Sequence, residues 1–413
     1  MLGLGSSIPR SGKIGPTIIR DGLVLKHDYN AGAVEPASSG AAYFDEGNDD
    51  YIAVGDIASL KPGDGSFSIS CWVNVKSITE TTTRWIVGKA DGASVAAGNS
   101  EGYGLYLGNG GTLWSFFVSD GAQSAIAVAP NTFIAANQWQ HLCATFNGST
   151  LAQIYVDGVL ANASSVSAGA SLGDIDVSDD FKIGKLTSAS TTHNGYICNV
   201  GFWKGVVLTQ PQVKSIMHKN YAGLSDSEKT NLVSWWNLDS TIPGVSTEVY
   251  DNHYAAGSEL GSELITNGDF SSDSDWTLVE NGESTVDISG GTLNITVGGG
   301  DGYVYASQPE ASMSAPYVHG SIYVMEATFT RTSGDGGRLR FQDNLADNGG
   351  LQDSQTQTEL TGNEQSVKFY FKANSNSNTL AIARDNGASG LPVTVKVKSV
   401  SLKKVNGNIG TLA

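Results

Sequence analysis

Residues 66–75 read Ser66-Phe67-Ser68-Ile69-Ser70-Cys71-Trp72-Val73-Asn74-Val75, and their alternation decides the fold class. Successive side chains of a strand point to opposite faces, so Phe67, Ile69, Cys71, Val73 and Val75 share one face and make it a core face. The same period recurs downstream. In Trp139-Gln140-His141-Leu142-Cys143-Ala144-Thr145-Phe146, the residues Leu142, Ala144 and Phe146 share a face, and Asn147-Gly148 supplies turn chemistry. Gln153-Ile154-Tyr155-Val156 meets Asp157-Gly158 ahead of Val159-Leu160. A type I′ turn needs positive φ at both central positions, which Asp-Gly tolerates, so a tight hairpin is expected there.

Composition extends this pattern to the whole chain. The 413 residues include 51 glycines, with 40% hydrophobic and 16% charged residues. Glycine weakens helices and serves turns, so many short strands are expected. The length exceeds what a single core usually serves, which implies more than one domain. Only two stretches read as helical: Thr209 to Lys219, with Thr209 as N-cap and Pro211 in the first turn, and Ser225 to Leu232, where Ser225 and Glu228 have capping-box spacing.

The expected organisation is an extended N-terminal arm over 1–20, a first β domain over 21–240, a Ser/Gly/Thr-rich linker over 241–261, a second β domain over 262–405 and a small-residue tail over 406–413. Strands of the second domain include residues 291–297, 321–327, 367–371 and 393–402. The fold class is therefore all-β: two tandem antiparallel sandwiches, with short helices at the end of the first.

A net charge of −17 and the lack of a basic run exclude nucleic acid and anionic membrane surfaces as expected partners. No apolar stretch approaches the ~20 residues that span a bilayer, so no membrane insertion is expected. The N-terminus lacks the charged, apolar and small-residue regions of a signal peptide. Cys71, Cys143 and Cys198 lie in separate strand-like runs without zinc or redox spacing and read as small buried residues.

Several segments in order resemble the concanavalin A-like, laminin G-type jelly-roll family over roughly 21–240. They are Gly22-Leu23-Val24-Leu25, Ala41 to Asp45, Asp50-Tyr51-Ile52, Phe67 to Val75, Gly102 to Leu105, Trp139 to His141, Tyr155 to Gly158 and Gly195 to Leu208. The resemblance implies two stacked sheets whose concave face or rim binds sugars or proteins, often beside calcium. Cys198-Asn199 stand where the family's last strand commonly has an acidic pair. Leu232 to Asp239 echoes the opening strand, Leu23 to Tyr29, and reads as a returning edge strand or the relic of a second copy.

Leu264-Ile265-Thr266-Asn267-Gly268-Asp269-Phe270 with Trp276, and the closing run Val395 to Leu402, resemble galactose-binding-like jelly rolls typical of carbohydrate-binding modules. Ser271 and Lys398-Ser399 occupy places where relatives hold a structural calcium with acids. The expectation is thus no metal and no cofactor, with little effect of a chelator on melting.

Glycosidase chemistry needs two carboxylates facing across a scissile bond. No Glu-x-Asp-x-x-Glu run, Gly-x-Ser-x-Gly elbow, phosphate loop or His-Glu-x-x-His helix is present, and no catalytic residue is assigned. His141 reads as a structural hydrogen-bonder. Sugar binding instead needs flat aromatic faces with polar groups beside them. Tyr103, Tyr106 and Trp114 flank the turn Gly108 to Gly111 and suit a rim platform; the competing reading is core packing. In the second domain Tyr303 and Tyr305 alternate, as do Arg338, Arg340 and Gln342, which share either a sugar-reading or a solvated face. Trp276 reads as packed.

The expected function is a non-enzymatic virion protein (capsid decoration, appendage or tail-associated adhesin) that binds carbohydrate or a host surface. Short Gly/Ser-rich starts followed by a laminin G-type domain without a secretion signal resemble bacteriophage structural proteins. The resemblance implies docking to other virion proteins through the arm, and multiple copies on a particle or a homo-oligomer. The alternatives are a bacterial extracellular carbohydrate-binding protein and a polysaccharide hydrolase or lyase on the concanavalin A-like scaffold.

Overall fold

In the computed structural model the described residues are 35–78, 83–92, 100–108, 112–166, 171–187, 192–242, 245–249, 251–255, 260–298, 304–334, 338–342, 357–373, 379–385 and 392–412. The arm over 1–20, Tyr303 and the Asn109 to Gly111 part of the expected rim turn lie outside them. Among the described residues the strands pair antiparallel throughout and form four sheets that pack as two sandwiches.

In the first sandwich a seven-stranded sheet runs Ala42–Phe44, Gly195–Lys204, Phe67–Val75, Trp139–Phe146, Leu151–Val156, Val159–Ser165, with Leu232–Trp236 also on Gly195–Lys204. Phe67, Ile69, Cys71, Val73 and Val75 enter the core with Leu142, Ala144 and Phe146, as the alternation requires. Asp157 and Gly158 both have positive φ, 49° and 74°, so the hairpin turn is of the expected kind. Leu232–Trp236 runs antiparallel to Gly195–Lys204, while Leu23 to Tyr29, the segment that it echoes, lies outside the described residues.

The helices form at the expected caps. Gln210–Ile216 starts from a capping box of Thr209 and Gln212, and Asp226–Lys229 from one of Ser225 and Glu228. The second ends short of Leu232 because that residue begins a strand. Val213 and Ile216 of the first helix pack on the outer side of the seven-stranded sheet, over Cys143, Tyr155, Trp203 and Trp235.

The facing nine-stranded sheet corrects the expected linker and tail. Its order is Thr241–Ile242, Val245–Val249, Gly410–Leu412, Ile52–Gly55, Phe181–Ile183, Arg84–Ala90, Glu101–Gly108, Leu113–Asp120, Ser124–Val128. Two strands thus come from the stretch read as linker. Gly410–Leu412, from the stretch read as tail, inserts between Val245–Val249 and Ile52–Gly55. Small polar composition hid this pairing, because backbone hydrogen bonds rather than side-chain alternation hold a short strand between two neighbours.

A buried knot fixes that return. Asp251 Oδ1 accepts from Trp235 N at 2.9 Å and His253 N at 3.1 Å, and Oδ2 accepts from Asn408 N at 3.1 Å. Trp236 Nε1 donates to Asn408 O at 2.8 Å, and Asn408 Nδ2 donates to Ser234 Oγ at 2.7 Å. Burial pushes the Asp251 carboxyl up to about 7 against the hydrogen bonds that it accepts.

The second sandwich pairs a six-stranded sheet (Thr285–Ser289, Thr292–Val297, Val393–Val405, Ile322–Ser333, Gln365–Lys372, with Leu260–Glu263 on Val393–Val405) with a five-stranded one. The latter runs Thr277–Val279, Tyr305–Pro309, Thr379–Asp385, Arg338–Gln342, Gln357–Glu359. Glu263 ties its opening to its closing strand, accepting from Ile265 N and Leu402 N and from Ser401 Oγ. Lys372 Nζ reaches from this sandwich to the buried Glu248 of Val245–Val249 at 2.6 Å.

Candidate functional site

The outer faces of the second sandwich differ in kind. On the six-stranded sheet, Glu326, Ser366, Lys368, Lys396 and Lys398 are exposed, with Lys368 and Lys398 paired to Glu326 and Glu364. This is a solvated face whose ion pairs contribute little.

On the five-stranded sheet, Val304, Ala306, Leu339, Phe341, Leu380 and Ile382 fill the core, so Tyr305, Ser307, Arg338, Arg340, Gln342, Ala381 and Ala383 lie on the opposite face. Strand register aligns them. Tyr305 pairs with Ala383, which pairs with Arg340; Ser307 pairs with Ala381, which pairs with Gln342. Directly opposed residues have Cβ atoms about 5 Å apart, so a methyl-floored trough separates the Tyr305 ring from the Arg340 guanidinium. Ala381 and Ala383 are fully buried at its base, Gln342 is buried, Tyr305 and Arg340 are half-buried and Arg338 is exposed.

The sequence therefore placed Tyr305, Arg338, Arg340 and Gln342 together correctly as a face. Gln342 is not an open contact, because it sits fully covered at the inner row. The two alanines were missed; their signal was the alternation Leu380-Ala381-Ile382-Ala383, in which only the large residues face inward. Chemically, the face carries a half-buried ring and two guanidinium groups, each with interaction partners, over a row of buried small residues.

The expected rim platform of the first sandwich is overturned. Tyr103 and Trp114 point into the core, each 1% exposed. The Tyr103 hydroxyl donates to Leu60 O at 2.6 Å, and Trp114 Nε1 donates to Gln140 Oε1 at 3.1 Å. Tyr106 lies on the opposite side of the same hairpin but is also buried, 4.8 Å between centroids from Trp85 in a cluster with Phe117 and Leu186. Tyr106 pairs with Ser115 and Leu107 with Trp114, so the two rings fall on opposite faces by the period of two.

His141 is fully buried, its Nε2 2.8 Å from Ser70 Oγ, and burial pushes its pKa down to about 3. It is a structural partner beyond the reach of a substrate. The three cysteines are buried and free. Trp276 packs at 5.4 Å from Phe270, its Nε1 donating to Asn267 O. Among the described residues no cluster of three or more His, Cys, Asp or Glu side chains could hold a metal ion, and no helix is long and apolar enough to cross a membrane.

Among solved structures, the chain is similar to the N-terminal cellulose-binding domain of Cellulomonas fimi β-1,4-glucanase C, at 21% identity over 35% of this chain and 97% of that one, with a TM-score of 0.26. It is similar to the CBM22-1 xylan-binding domain of Paenibacillus barcinonensis Xyn10C, at 12% identity over 36% and 97% of the two chains, with a TM-score of 0.28. The enzymatically active domain of bacteriophage CBA120 tailspike protein 4 aligns at 14% identity over 35% of this chain and 21% of its own, with a TM-score of 0.26. No curated protein matches the chain. In sequence, residues 46–214 match the laminin G-type model of the concanavalin A-like lectin/glucanases superfamily, and most strands of the first sandwich lie within this stretch.

Proposed function

We propose that this protein is a non-enzymatic glycan-binding protein whose primary site is the trough on the five-stranded sheet. The observation that carries the reading is the row Tyr305, Ala383, Arg340, in which a ring and a guanidinium stand either side of a small-residue floor. A pyranose that meets this face stacks its C–H side on the half-buried Tyr305 ring, with the exposed Arg338 at the margin of the contact. A few contacts at a solvated surface give modest affinity per site, so display in many copies would supply useful capture. The lectin/glucanase superfamily match of residues 46–214 accords with a glycan-directed protein.

The finer part of the proposal is that the chain is displayed on a virion. It rests on the resemblance of the arm-plus-laminin-G organisation to phage structural proteins, and mass spectrometry of purified particles tests it.

The binding reading is tested on an immobilised glycan panel with wild-type protein and Tyr305→Ala/Arg340→Ala. The expected result is loss of capture with circular dichroism unchanged. Capture undiminished by the double variant would move the primary site elsewhere, and release of reducing ends from any polysaccharide by wild-type protein would favour the hydrolase reading.

A further inference from the structure

The first sandwich has a second aromatic surface that no sequence pattern singled out. Register places Tyr43, Tyr196, Asn74 and Trp139 in one line across four adjacent strands: Tyr43 pairs with Tyr196, Tyr196 with Asn74, and Asn74 with Trp139. The neighbouring row on the same face, Cys198, Trp72 and His141, is buried, and Met217 just after the helix Gln210–Ile216 packs with Trp72 and Cys198. That cover stops one row short. Tyr43 and Tyr196 remain 38% and 39% exposed, and Trp139 and Asn74 are half-buried.

The rings form a graded surface rather than a sealed cluster. Tyr43 and Tyr196 have centroids 4.9 Å apart and Tyr196 and Trp139 6.3 Å apart, so Tyr196 bridges both neighbours. Lys76 Nζ lies 4.2 Å from the Tyr43 ring centroid and donates to its hydroxyl, fixing a cation at one end. Polar groups accompany each ring. Asn74 and Trp139 make no side-chain hydrogen bond among the described residues, leaving an amide and an indole N–H available beside aromatic faces.

We infer that the line Tyr43, Tyr196, Asn74, Trp139, with Lys76 at its end, is a second carbohydrate subsite that takes a linear chain of pyranose rings. The chemistry distinguishes this occupant from an aliphatic protein surface. An apolar partner would leave the Asn74 amide and the Trp139 N–H desolvated without acceptors, whereas sugar hydroxyls supply acceptors between successive C–H faces. The inference rests on the glycan-binding reading, and places a second contact on a different sandwich from the trough.

The test uses the full chain on one panel of soluble and immobilised cello-, xylo- and manno-hexaoses. The proteins compared are wild type, Trp139→Ala/Tyr196→Ala and Tyr305→Ala/Arg340→Ala. The row variant is expected to lose roughly tenfold in apparent affinity, from two lost ring contacts. A row variant that folds and binds as wild type overturns the subsite and leaves the trough reading intact. A trough variant that binds as wild type while the row variant fails overturns the trough and retains the subsite. Wild-type protein binding none of the three sugars overturns both. Should the row variant fail to fold, tryptophan accessibility decides. Six of the eight tryptophans are at most 1% exposed, so in a Trp276→Phe protein acrylamide quenching reports chiefly on Trp139. Protection by saturating hexaose supports the subsite, and unchanged quenching overturns it.

Discussion

In the first sandwich Trp72, Trp85, Trp114, Trp203, Trp235 and Trp236 are all buried, whereas the second sandwich leaves Tyr305 and Arg340 half-buried and Arg338 exposed on the outer row of its five-stranded sheet. The difference lies in what covers the sheets. The first has a central core and further clusters on both outer sides: helix residues over Trp203 and Trp235, and Trp85 with Tyr106 and Phe117 on the nine-stranded sheet. On the five-stranded sheet of the second, alanines alternate with core residues and leave a trough. A ring on a strand is thus structural or available according to the layer above it, which strand alternation alone does not specify.

The largest expected effect sharpens this contrast. Trp114→Ala removes a fully buried indole and its bond to Gln140, and should cost about 3–5 kcal/mol of stability. Tyr305→Ala or Arg340→Ala should cost under about 1 kcal/mol, as surface changes do. Denaturant titrations of the three variants measure both. Equal losses would mean that Tyr305 and Arg340 are packing residues and the trough is no site.

A smaller effect probes how the sandwiches are joined. A Cβ on Gly410 would meet Ile52 Cγ2 at 2.4 Å and Val249 Cγ2 at 2.9 Å, the side chains of the two strands that flank it. Gly410→Val should therefore expel the C-terminal strand or strain it, at about 1–3 kcal/mol. Protease should then cut residues 241–261 faster than in the wild type, because their strands lose a pairing partner. Unchanged cleavage would show that Val245–Val249 holds without Gly410–Leu412.

What was legible in the sequence follows the range of the forces involved. The alternation of Phe67 to Val75, the Asp157-Gly158 turn and the Thr209 and Ser225 caps are local and were read correctly, and they carry the all-β class. The insertion of Gly410–Leu412 beside Ile52–Gly55 joins residues far apart in the chain through backbone hydrogen bonds, which leave no side-chain pattern. The site divides in the same way. Arg338, Arg340 and Gln342 share a face by simple alternation, but the rings of Tyr103, Tyr106 and Trp114 are closed off by contacts from distant segments such as Leu60, Gln140 and Trp85. The row of Tyr43, Tyr196, Asn74 and Trp139 is assembled from four separate strands and exists only once their register is known.

The smallest expected effect concerns the carboxylate that ties the C-terminal return to the first sandwich. Burial raises Asp251 to about 7 from 3.8, so between these values the folded chain holds a proton that the unfolded chain has released. A raised acid pKa makes this group's contribution to stability fall as pH rises through that window and level off above the folded value. Asp251→Asn removes the titration; its amide faces Asn408 N–H less favourably than the carboxylate does, but that offset is independent of pH. The stability of wild type relative to Asp251→Asn should therefore decline by about 1 kcal/mol between pH 6 and pH 8, measured as paired urea titrations. A flat difference across the range would mean that the three backbone N–H donors already hold Asp251 ionised. A rise with pH across this range cannot come from Asp251, since a carboxyl lowered below 3.8 is ionised in both states above pH 6, and would assign the difference to another titrating group.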